Sequence, residues 1–279
     1  MSSVERLSLD GARVTLTMPD ANWSPTYRSE CRVLLDSSRE RTLCSGSLAH
    51  SDWVASDLDF GPVTSRNEYA FQDGRLLIGS GLLPPTADGA EYLYWAADGT
   101  AHPSERWLAA WYGKSYSVHT QTAGGPEQVD GLISLLEQFV LSELPEGLTL
   151  QMRIDSNARI IGVELTQQLP GELLLSVAPL GVNALRRLPP WEGTRVAGGE
   201  LFVASFNTHG AETDHQDEFL VLVGDSAVTY GIPLGNATEE MMISAMSTLK
   251  VTWESGATQR SPIASSPKRV KRLLRRRRT

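Results

Sequence analysis

The densest grouping of side chains able to hold a metal ion or move protons is Thr208 to Glu218. There two imidazoles, His209 and His215, and four carboxylates, Glu212, Asp214, Asp217 and Glu218, crowd eleven residues. Nitrogen and oxygen donors of this kind suit zinc and other divalent ions. His209, Asp214 and His215 are the candidate ligands. Their spacing matches no defined site, however, and the stretch joins two predicted strands, where polar residues are expected for solvation alone. A metal-dependent enzyme using residues 208–218 is therefore the last of three functional readings.

Nucleophilic catalysis has a weaker claim. Cys44-Ser45-Gly46-Ser47 is followed closely by His50 and Asp52, but catalytic triads are assembled in space and their members rarely sit so near along the chain. Neither the strand-to-helix elbow Gly-x-Ser-x-Gly nor a phosphate-cradling glycine loop occurs. We assign no catalytic residue and expect no cofactor, so the chain reads as a non-enzyme.

The other chemically distinctive stretch is the last twelve residues, KRVKRLLRRRRT, which hold eight of the 25 basic residues. Lys268, Arg269, Lys271, Arg272, Arg275, Arg276, Arg277 and Arg278 are the candidate groups for binding an anionic partner. Residues 1–267 set 17 basic against 33 acidic residues, a formal charge of −16. An acidic body thus ends in a basic tail. Guanidinium groups fork onto phosphate or carboxylate in a way that an ammonium cannot, and 21 of the 25 basic residues are arginine. Three partners fit: an anionic membrane surface, with Val270, Leu273 and Leu274 adding apolar contact if the run turns helical; an acidic protein surface, including this protein's own; or the phosphates of a nucleic acid. The acidic body disfavours wide contact with DNA.

Composition bounds the rest. At 279 residues and 41% hydrophobic content the chain can bury a real core. It contains no 18-residue apolar run, and the opening MSSVERLSLDGARVTL lacks the charged-then-apolar pattern of a secretory signal. The expected compartment is the cytoplasm, with peripheral membrane association through the tail. Cys31 and Cys44 are too few for a disulfide framework or a four-cysteine metal site and read as reduced thiols.

The elements that would position these groups are mostly short strands. Ala12–Met18 alternates before Pro19, while Arg75–Gly79, Tyr92–Ala96, Trp107–Tyr112 and Tyr116–Gln121 are β-type runs between Gly, Pro and Asp breaks. Trp95, Trp107 and Trp111 fall in neighbouring strands of this set and are candidates for an aromatic binding surface, with core filling as the competing role. A helix follows Gly124-Gly125-Pro126, with Val129, Leu132, Ile133, Leu136 and Val140 on one face. Leu148–Ile154 and Ala158–Leu165 then read as a hairpin. A second helix is expected from Asn236, which would cap it, with Met242, Ala245, Met246 and Leu249 buried.

Gly113, Ser115 and Gly124 recur as Gly224, Ser226 and Gly235, each 111 residues later, and the order of elements around them repeats. The expected architecture is therefore α+β: two diverged repeats of antiparallel sheet with one packed helix each, and a disordered basic C-terminal tail. The expected divisions are 1–155, with an insertion near 20–70, then 156–254, a Ser/Pro-rich linker at 255–267, and the Arg-rich tail at 268–279. The functional expectation is a non-catalytic interaction or adaptor protein attached through its tail to an anionic membrane surface or acidic protein partner. A nucleic-acid-associated protein is the first alternative.

Overall fold

The structure, a computed structural model, describes residues 1–35, 39–47, 65–82, 93–95, 100–103, 105–125, 128–169, 173–181, 188, 192–205, 218–235 and 237–255. The strands in chain order are β1 Ser2–Leu7, β2 Arg13–Met18, β3 Tyr27–Leu35, β4 Arg39–Ser47, β5 Ser65–Phe71, β6 Gly74–Leu82, β7 Leu93–Trp95, β8 Ala101–Pro103, β9 Glu105–Tyr112 and β10 Tyr116–Gly124. Helix α1, Gln128–Leu136, precedes β11 Phe139–Leu144, β12 Gly147–Met152, β13 Arg159–Leu169, β14 Leu173–Pro179, β15 Thr194–Val196, β16 Gly199–Ser205, β17 Glu218–Val223 and β18 Ala227–Pro233. Helix α2, Glu239–Thr248, and β19, Lys250–Glu254, complete the set.

The α+β expectation of two repeats, each with its own packed helix, is overturned. Strands take up 64% of the described residues and helices 10%. Twelve strands form a single antiparallel sheet in the order β15-β16-β17-β18-β14-β13-β3-β4-β10-β9-β6-β5. The spaced identities that suggested an internal repeat have a local cause. Gly113 donates its N–H to the Tyr116 carbonyl and Gly224 to the Ala227 carbonyl, both at 2.9 Å. Each glycine thus closes a tight hairpin, and tight hairpins select glycine and serine wherever they occur. Similar turn chemistry between antiparallel strands is enough to produce the matched spacing.

The chain divides into two compact units. The first comprises Met1–Glu30 and Val163–Ala257. It contains the small sheet β1-β2-β19, in which β2 is central and turns Val14, Leu16 and Met18 inward. That alternation follows the two-residue period of a strand with one buried face. Helix α2 packs on β17 and β18 through Met242 and Met246, with Leu249 buried just beyond its end. The approach is close, since a Cβ at Gly231 would lie 2.9 Å from the Met246 sulfur. The N-cap is the Thr238 side chain, which accepts the Met241 N–H at 3.3 Å. Asn236, the residue expected there, lies outside the described residues.

The second unit contains Cys31–Gly162. Its helix α1 lies on β9 and β10 and buries Val129, Leu132, Ile133 and Leu136, as the apolar spacing requires. The helix stops before Val140, which belongs to β11. The expected hairpin of 148–154 with 158–165 is also corrected. β12 pairs instead with β11, from Phe139↔Met152 to Leu144↔Gly147, and β13 pairs with β14. The turn between β11 and β12 ends at Gly147, whose φ of 157° suits glycine. Both strands contribute buried apolar residues, Phe139 and Leu141 from β11 and Leu148 and Leu150 from β12. A side chain extends the pairing further: Gln72 donates from Nε2 to the Phe139 carbonyl and accepts from the Leu141 N–H, both at 2.9 Å.

Candidate functional site

The eight basic residues of 268–279 lie outside the described residues, as do His209, Asp214 and His215. Trp95 falls in β7, which pairs with β8. Trp107 and Trp111 stand four residues apart in β9 and therefore point to the same side of that strand. Trp111 is only 2% exposed, and its indole N–H donates to the Phe71 carbonyl at 3.1 Å. Its ring is part of the core, wedged so tightly that a Cβ on Gly74 would collide with it. Trp107 is half-buried, and its indole nitrogen has no hydrogen-bond partner among the described residues.

The structure brings together two other sets of groups that are far apart in sequence. In the ladder of β10 with β4, His119 stands directly opposite Cys44. A thiol and an imidazole therefore share one face of the sheet, the imidazole 2% exposed and the thiol half-buried. No spacing rule could have found this pair, because it depends on which strands meet and in what register.

The second set surrounds a cavity of about 310 Å³ in the second unit. Helix α1 supplies one wall: Asp130, Gly131, Ser134, Leu135 and Gln138 recur every three or four residues and so share a side. Leu35, the last residue of β3, and Arg39, the first of β4, form a second wall, and Asn157 and Ala158 before β13 form a third. The floor is apolar, with Leu135 and Ala158 buried. The rim is polar. Local hydrogen bonds hold it in shape: Gln138 Nε2 donates to the Ser134 carbonyl at 3.2 Å, the Arg153 N–H to the Gln138 carbonyl at 2.9 Å and the Ser156 N–H to the Arg153 carbonyl at 3.0 Å. The Ser156 hydroxyl in turn accepts the Ala158 N–H at 3.1 Å. Asp130, Ser134 and Asn157 make no side-chain hydrogen bond or ion pair with any described residue.

This arrangement is suited to binding. Among the described residues no group of three or more His, Cys, Asp and Glu side chains could hold a metal ion. None of the described helices is long and apolar enough to cross a membrane. Comparison with protein-family models, curated proteins and solved structures returns no match.

Proposed function

We propose that the protein is a non-catalytic interaction protein whose tail, Lys268–Thr279, attaches it to an anionic membrane surface. The observation that carries this reading is the segregation of charge, eight basic residues in the last twelve against a formal −16 over residues 1–267. A basic residue close to an anionic leaflet contributes about 1 kcal/mol. Eight of them leave a useful surplus even after screening is discounted. Val270, Leu273 and Leu274 add apolar contact that nucleic acid would not use.

The linker decides whether the acidic body opposes this attachment. Residues 255–267, SGATQRSPIASSP, have a flexible composition, and thirteen such residues span roughly 20 Å on average. That exceeds the Debye length of about 8 Å at physiological salt. The body is held beyond the range at which its charge would be repelled. Ser261, Ser265 and Ser266 sit beside the tail, so phosphate added there would offset neighbouring arginines and weaken attachment. On this reading the protein works at the cytoplasmic face of a membrane.

Sedimentation with vesicles of graded phosphatidylserine content, using the full chain and the chain lacking 268–279, tests the proposal. Binding should rise with anionic lipid and vanish with the deletion, while thermal unfolding of the body stays unchanged. Binding that ignores either the deletion or the lipid charge would overturn it. A tail-dependent, salt-sensitive shift of arbitrary RNA or DNA without vesicle binding would favour the nucleic-acid alternative.

A further inference from the structure

We draw no further inference here: the strongest candidate, the Cys44 thiol set opposite the His119 imidazole in the ladder of β4 with β10, carries nothing, because both side chains already take part in other interactions and β4 leads directly into residues 48–64, which lie outside the described residues.

Discussion

Gln167 of β13 links several segments of the first unit. It is 0% exposed, and its amide does two separate jobs. Nε2 donates to the carbonyls of Ser24 at 2.9 Å, Thr26 at 3.2 Å and Gln168 at 3.1 Å. Oε1 accepts from Arg6 Nε at 2.9 Å, and Arg6 Nη2 returns to the Ser24 carbonyl at 2.9 Å. The Arg6 guanidinium also lies 5.1 Å from the centre of the Tyr27 ring. Segments more than 140 residues apart in sequence are thus tied through one amide. Replacing it by leucine, similar in size, takes the amide donor from the Thr26 carbonyl and the acceptor from Arg6 Nε, while the Ser24 and Gln168 carbonyls keep Arg6 Nη2 and the Ser24 N–H. Each buried unsatisfied group costs about 1–3 kcal/mol. Part of this is recovered because Thr26 and Arg6 are only half-buried and can take up water. The expected loss for Gln167→Leu is about 3 kcal/mol. Gln167→Glu separates the two jobs: it keeps an acceptor for Arg6, now charged, but faces the carbonyls with oxygen instead of N–H. If donation dominates, Gln167→Glu loses about as much as leucine does. Arg6→Met, which keeps apolar contact with Tyr27, should lose only about 1–2 kcal/mol. Urea denaturation gives these differences, and amide hydrogen exchange across residues 24–29 locates them. A Gln167→Leu variant within about 0.5 kcal/mol of the parent, or a Gln167→Glu variant of parental stability, would refute the reasoning.

Glu143 of β11 accepts three backbone amides of the turn between β9 and β10, from Lys114 at 2.8 Å, Ser115 at 2.9 Å and Tyr116 at 2.8 Å. Glu143→Ala should therefore destabilise the second unit by about 2 kcal/mol, less than three full charge-assisted bonds because water reaches the freed amides. Added formate or acetate should recover part of this in thermal unfolding. Gly131→Ala, in the interior of α1 with open space beside it, should stabilise by up to about 1 kcal/mol in urea denaturation. Iodoacetamide followed by peptide mapping should label half-buried Cys44 in the folded protein, whereas Cys31, 1% exposed, should react only after unfolding.

The strands that one face of apolar residues announces were readable from the chain alone. β2 alternates cleanly, and the runs that become β14, β16 and β17 are apolar enough to be recognised between their turn residues. Helix α1 was readable too, because proline and paired glycines mark its start and four buried residues fall on one face. β4 was not, although it lies well inside the large sheet. Its sequence RERTLCSGS buries Leu43, Ser45 and Gly46 and carries charge at one end, so it has neither the β-branched content nor the alternation of a typical strand. β1 and β5, at sheet edges, contain Glu5, Arg6, Arg66 and Glu68. Charge at an edge discourages pairing with other chains and also disguises the strand. Which strand pairs with which is set by contacts distant in sequence, which explains why β12 was given the wrong partner. The cavity was unreadable for the same reason, as its walls run from Leu35 to Ala158.

The acidic surplus of the body has little to do with holding the fold together. The acids that the described residues visibly engage in ion pairs, Glu5 with Arg13 at 3.3 Å, Glu30 with Arg28 at 3.3 Å, Glu40 with Arg32 at 3.4 Å and Glu68 with Arg75 at 3.6 Å, are all well exposed on both sides. Such pairs are worth about 0–1 kcal/mol each. Glu143 and Glu200 do more, but they do it by accepting backbone N–H groups, as Glu200 does from Gly193 at 2.8 Å, and a neutral acceptor could serve in part. Exposed acids such as Asp225, Glu239, Glu240 and Glu254 in the first unit face solvent. Glu239 and Glu240 gain slightly from the N-terminus of α2. A net charge this far from zero instead keeps a protein soluble and apart from other anionic surfaces. On the proposed reading the tail alone meets the anionic surface, and a linker longer than the Debye length keeps the acidic body from opposing it.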